Sequence, residues 1–244
     1  MRLFRSAILA GAVVLVACHP SPPSDKSFDA RVKAYILAHP EVIGEAIQKL
    51  QAKMAADDAA AQAKASAQLP ALRAAVERDP RDFVANPKGV VTVTEFYDYR
   101  CPHCIDAAPK VLGLINNNPN VRFVFKEMPI FGPTSEHAAR AALEVKKAGG
   151  DYLGVYRTFM ETRPLDDEVI DQIALRFGAR KSDLGSDPAA DVQLADIAAL
   201  FNKLDLGGTP AFIVGDELVP GDDMDALNAA IAKARKGEGA AAPA

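Results

Sequence analysis

Two of the chain's three cysteines are separated by only two residues, in DYRCPHC, where a run rich in β-branched and aromatic residues, VVTVTEFYDY, meets a helix-prone one, CIDAAPKVLGLI. No other stretch constrains the fold as much. After the turn NNNPN comes a second β-rich run, VRFVFKEM. A strand, a helix and a strand in that order predict a right-handed parallel crossover. Cys101 is then placed where the first strand ends and the helix begins, Pro102 fixes the first turn, and Cys104 lies one turn further in.

The residue types narrow what such a pair can do. Zinc asks for four ligands, and the histidines, His19, His39, His103 and His137, are scattered with none at ligand spacing to a partner. No metal and no cofactor are expected. A structural bridge across so short a loop removes little unfolded-state entropy while forcing the disulfide into a turn. A redox-active dithiol accounts for the placement. Backbone N–H groups of the first helical turn face the Cys101 sulfur and favour its thiolate. The helix dipole supplies only about 0.3–2 kcal/mol, whereas each hydrogen bond to a charged group adds about 1.5–3 kcal/mol. Amides around His103 and Cys104 therefore outweigh the dipole, and the His103 ring is expected to add an N–H or a positive charge. A stabilised thiolate makes the disulfide more oxidising. Cys104 is expected to be buried and to act as the resolving thiol.

Downstream, residues 132–206 contain no convincing strand and read as a helical block of four elements. Ser135, Asp151 and Asp166 are the expected caps of the first three, and Pro188 opens the fourth. TPAFIVGDELVPG then reads as two short strands around a Gly215-Asp216 turn. A last helix follows, and residues 239–244 are expected to be a disordered tail.

Upstream the composition differs. Arg2 and Arg5 precede an apolar run over residues 7–17, the length of a secretory signal rather than of a membrane span. Export is expected. The run ends in LVAC, which resembles the lipobox of bacterial lipoproteins and marks Cys18 for lipidation, with the Pro/Ser-rich residues 19–26 as a spacer. Residues 27–80 read as a helical arm, in which Pro40 separates a short helix from a longer one whose Ile43, Ile47, Leu50 and Met54 form a heptad seam. Such a stripe either folds back on its own catalytic domain or is buried against identical copies, and periodicity leaves both open. A formal net charge of -4 without a Lys/Arg cluster excludes nucleic acid as an expected partner.

On these motifs, residues 90–236 resemble the DsbA-like branch of the thioredoxin superfamily. The fold this implies is α/β, a thioredoxin fold with an inserted helical domain, here preceded by the helical arm. CPHC at 101–104 matches the DsbA motif letter for letter, which implies redox roles for Cys101, Pro102, His103 and Cys104. Glu95, six positions before Cys101, matches the buried acid that accepts the resolving cysteine's proton, and Lys126 is aligned with that acid's charged partner. GGTPAF at 207–212 matches the cis-proline loop, so that Pro210 would face the cysteines and Thr209 would offer its backbone to substrate. Thr before that proline is the isomerase-like choice, and YILAHPEVIGEAIQKLQ is similar to the oligomerisation region of the ScsC (suppressor of copper sensitivity) proteins.

The resemblance implies a periplasmic thiol:disulfide oxidoreductase that forms or isomerises disulfides in unfolded or misoxidised exported proteins. It would work with a membrane thiol-redox partner and assemble as a homo-oligomer, a trimer by preference, through residues 27–75. A lipid anchor at Cys18 would tether it to the membrane. The alternative is a copper-binding protein that uses Cys101 and Cys104 as soft ligands for Cu(I).

Overall fold

The computed structural model describes residues 26–182, 184 and 187–241. The expected signal segment, Cys18, the spacer up to residue 25 and the last three residues of the tail lie outside them. Two compact units divide the chain between Met54 and Ala55.

Helix α1 (Lys26–Ala38) of the first unit ends before Pro40, and helix α2 (Glu41–Glu77), which begins in that unit and continues in the second, starts directly after it. Proline thus punctuates the two helices as its missing donor predicts. The seam of α2 is open to solvent, with Ile47 50 %, Leu50 57 % and Met54 55 % exposed.

The second unit is built on a five-stranded sheet in the order β1-β3-β2-β4-β5. Its strands are β1 (Phe83–Ala85), β2 (Val91–Tyr97), β3 (Val121–Glu127), β4 (Ala211–Val214) and β5 (Glu217–Pro220). β2 and β3 pair in parallel, in the register Glu95 with Phe125 and Tyr97 with Glu127, and helix α3 (Pro102–Asn117) crosses between them. Strand β1, antiparallel to β3, was not legible, because three residues between prolines carry no period. Gly215, at φ 61°, makes the turn joining antiparallel β4 and β5.

Between β3 and β4 lie four helices: α4 (Pro133–Lys147), α5 (Tyr152–Glu161), α6 (Asp167–Arg176) and α7 (Pro188–Lys203). Asp151 and Asp166 cap α5 and α6 by accepting from Gly154 N and Val169 N. Ser135 is not a cap. Gly132 takes that position for α4, and the Ser135 hydroxyl instead donates to Asp98 at 2.9 Å. The last helix, α8 (Met224–Ala241), runs into the residues expected to be a disordered tail. Gly237 and Gly239 lie within the helix.

Strand alternation sorts side chains onto two cores. Val93, Tyr97, Phe123 and Phe125 face a core shared with α3, α4, α5, α6 and α8. Phe96 faces the other way, toward Ala65, Leu69 and Val76 of α2 and Ile197, Leu200 and Phe201 of α7. The fold-back reading of the arm thus describes the part of α2 after Met54, which packs against the sheet and α7, while the earlier seam is exposed to solvent.

The end of α2 explains Lys126. A helix leaves its last four carbonyls without intrahelical partners. Here Ala74 O accepts from Arg78 N, Ala75 O from Lys126 Nζ at 2.6 Å, Val76 O from Thr94 Oγ1 at 3.2 Å and Glu77 O from Arg122 at 2.7 Å. Lys126 also forms a buried ion pair with Asp82 at 2.5 Å. It lies beside Phe96 in the register and thus on the face opposite Glu95. The expected pairing of Lys126 with Glu95 is overturned, since a one-residue step along a strand reverses the side chain.

Lys126→Met should lower stability by about 3–5 kcal/mol in urea unfolding, because it strands a buried carboxylate. The thiol titration of Cys101 should stay in place, and a shifted titration would restore Lys126 to the redox site.

Candidate active site

The chain leaves β2 at Tyr97, turns through Asp98-Tyr99-Arg100 and enters α3 with Cys101 as its N-cap residue and Pro102 in the first turn. Asp98 holds the turn. Its carboxylate accepts from the amides of Arg100 (2.7 Å), Ile130 (2.6 Å) and Phe131 (3.0 Å) as well as from Ser135, so the loop after β3 is tied beside the motif. Both cysteines are unbridged thiols, Cys104 with none of its surface exposed and Cys101 with 3 %.

The loop at 207–210 meets the motif as expected. The Thr209–Pro210 peptide is cis, and Cys101 Sγ donates to Thr209 O at 3.0 Å, bridging segments 108 residues apart. In the ionised state several groups hold the Cys101 anion. A hydrogen bond from the Cys104 thiol is the largest; the Thr209 side chain and the amides of Cys104 and His103 add to it, and together they bring Cys101 down to about 5 against the opposing cost of burial. The amides act as read from sequence, but the second thiol outweighs them. Burial, and then the bond to Cys101, push Cys104 far above an ordinary thiol. One sulfur is an anion at neutral pH and its neighbour holds a proton.

His103 departs from expectation. Its Nδ1 lies 3.3 Å from Asp222 Oδ2 at the exposed start of the α8 region, so the ring engages this carboxylate rather than the sulfur. Asp222 is held below its usual value by His103. His137, for which the sequence suggested no role, pairs with Asp171 and joins α4 to α6.

Beneath the dithiol lies a polar network of which sequence reasoning named only Glu95. Glu95 is buried, accepts from Tyr156 at 3.3 and 3.4 Å, and is pushed up to about 8 by burial and by the charge of Glu127. Glu127, also buried, accepts at Oε1 from Tyr152 (2.6 Å), Tyr97 (2.7 Å) and Tyr99 (3.0 Å), and burial pushes it to about 8. Alternation along β2 was the available signal, since Tyr97 shares a face with Glu95, but an aromatic on a strand reads as core unless its hydroxyl partner is known. Among the described residues, no group of three or more His, Cys, Asp or Glu is placed to hold a metal ion.

The chain is similar to known proteins in sequence and in fold. Residues 92–232 match the DSBA-like thioredoxin domain, and residues 26–56 match the Copper resistance protein ScsC N-terminal domain. A thioredoxin-like oxidoreductase from Silicibacter pomeroyi is 38 % identical, with a TM-score of 0.63 over 67 % of this chain and 98 % of that one. ScsC of Proteus mirabilis in a transitional conformation is 26 % identical, with a TM-score of 0.64 over 86 % of this chain and 95 % of that one. Among curated sequences, Na(+)/H(+) antiporter NhaA 1 of Salinispora arenicola is 31 % identical over 65 % of this chain, which spans only 26 % of that protein's length. Among the described residues no helix is long and apolar enough to cross a membrane.

Thiolate absorbance of the reduced protein should rise with a midpoint near pH 5. Cys104→Ala removes the strongest donor and should move that midpoint upward, toward an ordinary thiol; an unmoved midpoint would show that the amides suffice. Because Cys101 ionises more readily folded than unfolded, the stability it lends the reduced protein is complete above the ordinary thiol range and is lost as pH falls through about 5.

Proposed function

The chain belongs to the DSBA-like thioredoxin family of thiol:disulfide oxidoreductases, and from that premise we propose that it acts on disulfides of exported proteins in the periplasm, chiefly by rearranging wrong ones. The observation that carries this reading is the contrast at one helix start, where Cys101 ionises near pH 5 beside a buried, protonated Cys104 and against Thr209-Pro210.

Cys101 attacks a client disulfide: a bond forms between Cys101 Sγ and one client sulfur, the client's S–S bond breaks, and the electron pair leaves on the other client sulfur. That thiolate can attack elsewhere in the client and finally expel Cys101, which isomerises the protein without net electron transfer. If the client is slow to rearrange, Cys104 attacks Cys101, gives its proton to Glu95 and releases a reduced client. With Cys101 ionised or in a mixed disulfide, the Thr209 carbonyl no longer accepts from a thiol and is available to the backbone of a bound client, with Pro210 beside it.

Self-association is the second part of the proposal. The exposed seam of Ile43, Ile47, Leu50 and Met54 falls within the segment that matches the ScsC N-terminal domain, and identical copies, three by preference, would bury it. A shared stalk would hold several dithiols around one client and hinder reoxidation by a membrane partner. Lipidation at Cys18 would add a tether. The copper reading keeps one supporting observation, the copper resistance description of the matched arm family, with Cys101 and Cys104 as the soft ligands.

The exposed and packed halves of α2 decide how the arm should be tested. Deletion must stop at residue 54, because Ala65, Leu69 and Val76 belong to the catalytic core. Deleting residues 26–54 should give a smaller species by light scattering that still oxidises reduced peptides but reactivates scrambled ribonuclease at least about tenfold more slowly, as expected when effective concentration is lost. An unchanged mass would refute oligomerisation through the arm. Pro210→Ala should abolish reactivation; survival of Cu(I) binding at the same time, with no effect of copper on reactivation, would separate the two readings.

A further inference from the structure

Glu127 has no part in the scheme above, although it is as deeply buried as Glu95 and lies on the same face of the sheet. Register puts Tyr97 beside Glu127 and Glu95 two residues before Tyr97, so both carboxyls point into the core beneath the dithiol. The groups around Glu127 are Tyr97 of β2, Tyr99 of the turn, Tyr152 of α5 and the Asp98 carboxylate. Those around Glu95 are Tyr156 of α5, Cys104 of α3 through Tyr156, and Glu127 itself. No cation is among the strongest groups acting on either carboxyl, and Lys126, next in the chain, faces the other side of the sheet.

Two carboxylates buried without a cation cannot both ionise at neutral pH, so the pair retains a proton. The tyrosines decide where the charge goes. Three hydroxyls converge on one oxygen of Glu127 at 2.6 to 3.0 Å, whereas Glu95 has a single, longer hydroxyl contact. Hydroxyl donors stabilise the anion they surround and do nothing comparable for the neutral acid.

We propose that Glu127, caged by Tyr97, Tyr99 and Tyr152, holds the negative charge of the pair and thereby keeps the proton on Glu95, which makes Glu127 a positioning residue for the redox reaction. Glu95 is then an acid as well as a base. When a client thiolate attacks Cys101 of the oxidised protein, the new S–S bond forms, the Cys101–Cys104 bond breaks and its electron pair goes to Cys104. The Glu95 proton neutralises that sulfur and leaves a second carboxylate beside Glu127, a short-lived state. In the reverse direction the Cys104 proton returns to Glu95. The caged charge thus favours this return step, in which Cys104 attacks Cys101 and releases a reduced client; this inference rests on the function proposed above.

The test is a carbon-13 titration of the glutamate side chains of the full, reduced protein, with the Glu95 signal assigned through Glu95→Gln. Wild-type Glu95 should titrate well above the ordinary carboxylate range, and in Glu127→Gln its midpoint should fall by about one pH unit or more, as loss of a nearby like charge requires. Tyr152→Phe, which weakens the cage and leaves the carboxyl, should lower it by a smaller amount. A Glu95 midpoint unmoved in folded Glu127→Gln, or unmoved in Tyr152→Phe if the first variant does not fold, would reduce the cage to a packing element and overturn the inference. The functional reading fails separately, if Cys104→Ser captures no client as a mixed disulfide.

Discussion

The contact between Cys101 Sγ and the Thr209 carbonyl joins two parts of the chain that everything else in the molecule serves to bring together. One partner arrives on the parallel crossover, where β2 delivers Cys101 to the start of α3. The other arrives after the four helices of the insert, at the edge of β4, which pairs antiparallel with β2. The β2·β4 register, with Glu95 beside Phe212 and Phe96 beside Ala211, sets the distance between motif and loop. A slip of one residue in that register would turn every side chain of one strand to the wrong core and carry Thr209 away from the sulfur.

Burial around that contact creates an electrostatic gradient. Hydrogen bonds to Cys101 outweigh the cost of burying it, so its anion is favoured, while desolvation is the largest influence on Cys104 and Glu95 and pushes both toward their neutral forms. The outcome is one negative sulfur above two neighbours, Cys104 and Glu95, that retain protons. Helix-dipole arguments alone would not produce this pattern, because the largest influence on Cys101 is the neighbouring thiol.

The arm shows how one helix can serve two ends. Its last four carbonyls are satisfied by a backbone amide and by Lys126, Thr94 and Arg122, which fastens the C-terminal half of α2 to the sheet. Its N-terminal half carries a solvent-exposed seam. A single 37-residue helix therefore links a core-forming segment to an exposed apolar stripe.

Much of this was legible in the chain itself. The CPHC motif at a strand-to-helix junction, the crossover, the Asp caps of two helices and the heptad seam follow from local chemistry, since each depends on residues within a turn or two of one another, whereas the Thr209-Pro210 loop was legible through its resemblance to a known family. What only the tertiary structure decided are relations across the fold. Lys126 was read as the partner of Glu95 and turned out to serve α2 and Asp82, because strand alternation sends it to the opposite face. His103 turned to Asp222, 119 residues away, rather than to the sulfur. The three tyrosines around Glu127 come from β2, the turn after it and α5, and a hydroxyl's partner at that separation leaves no periodic trace in sequence. Local chemistry specified the reagent; the packing of distant elements specified which of its neighbours would carry charge.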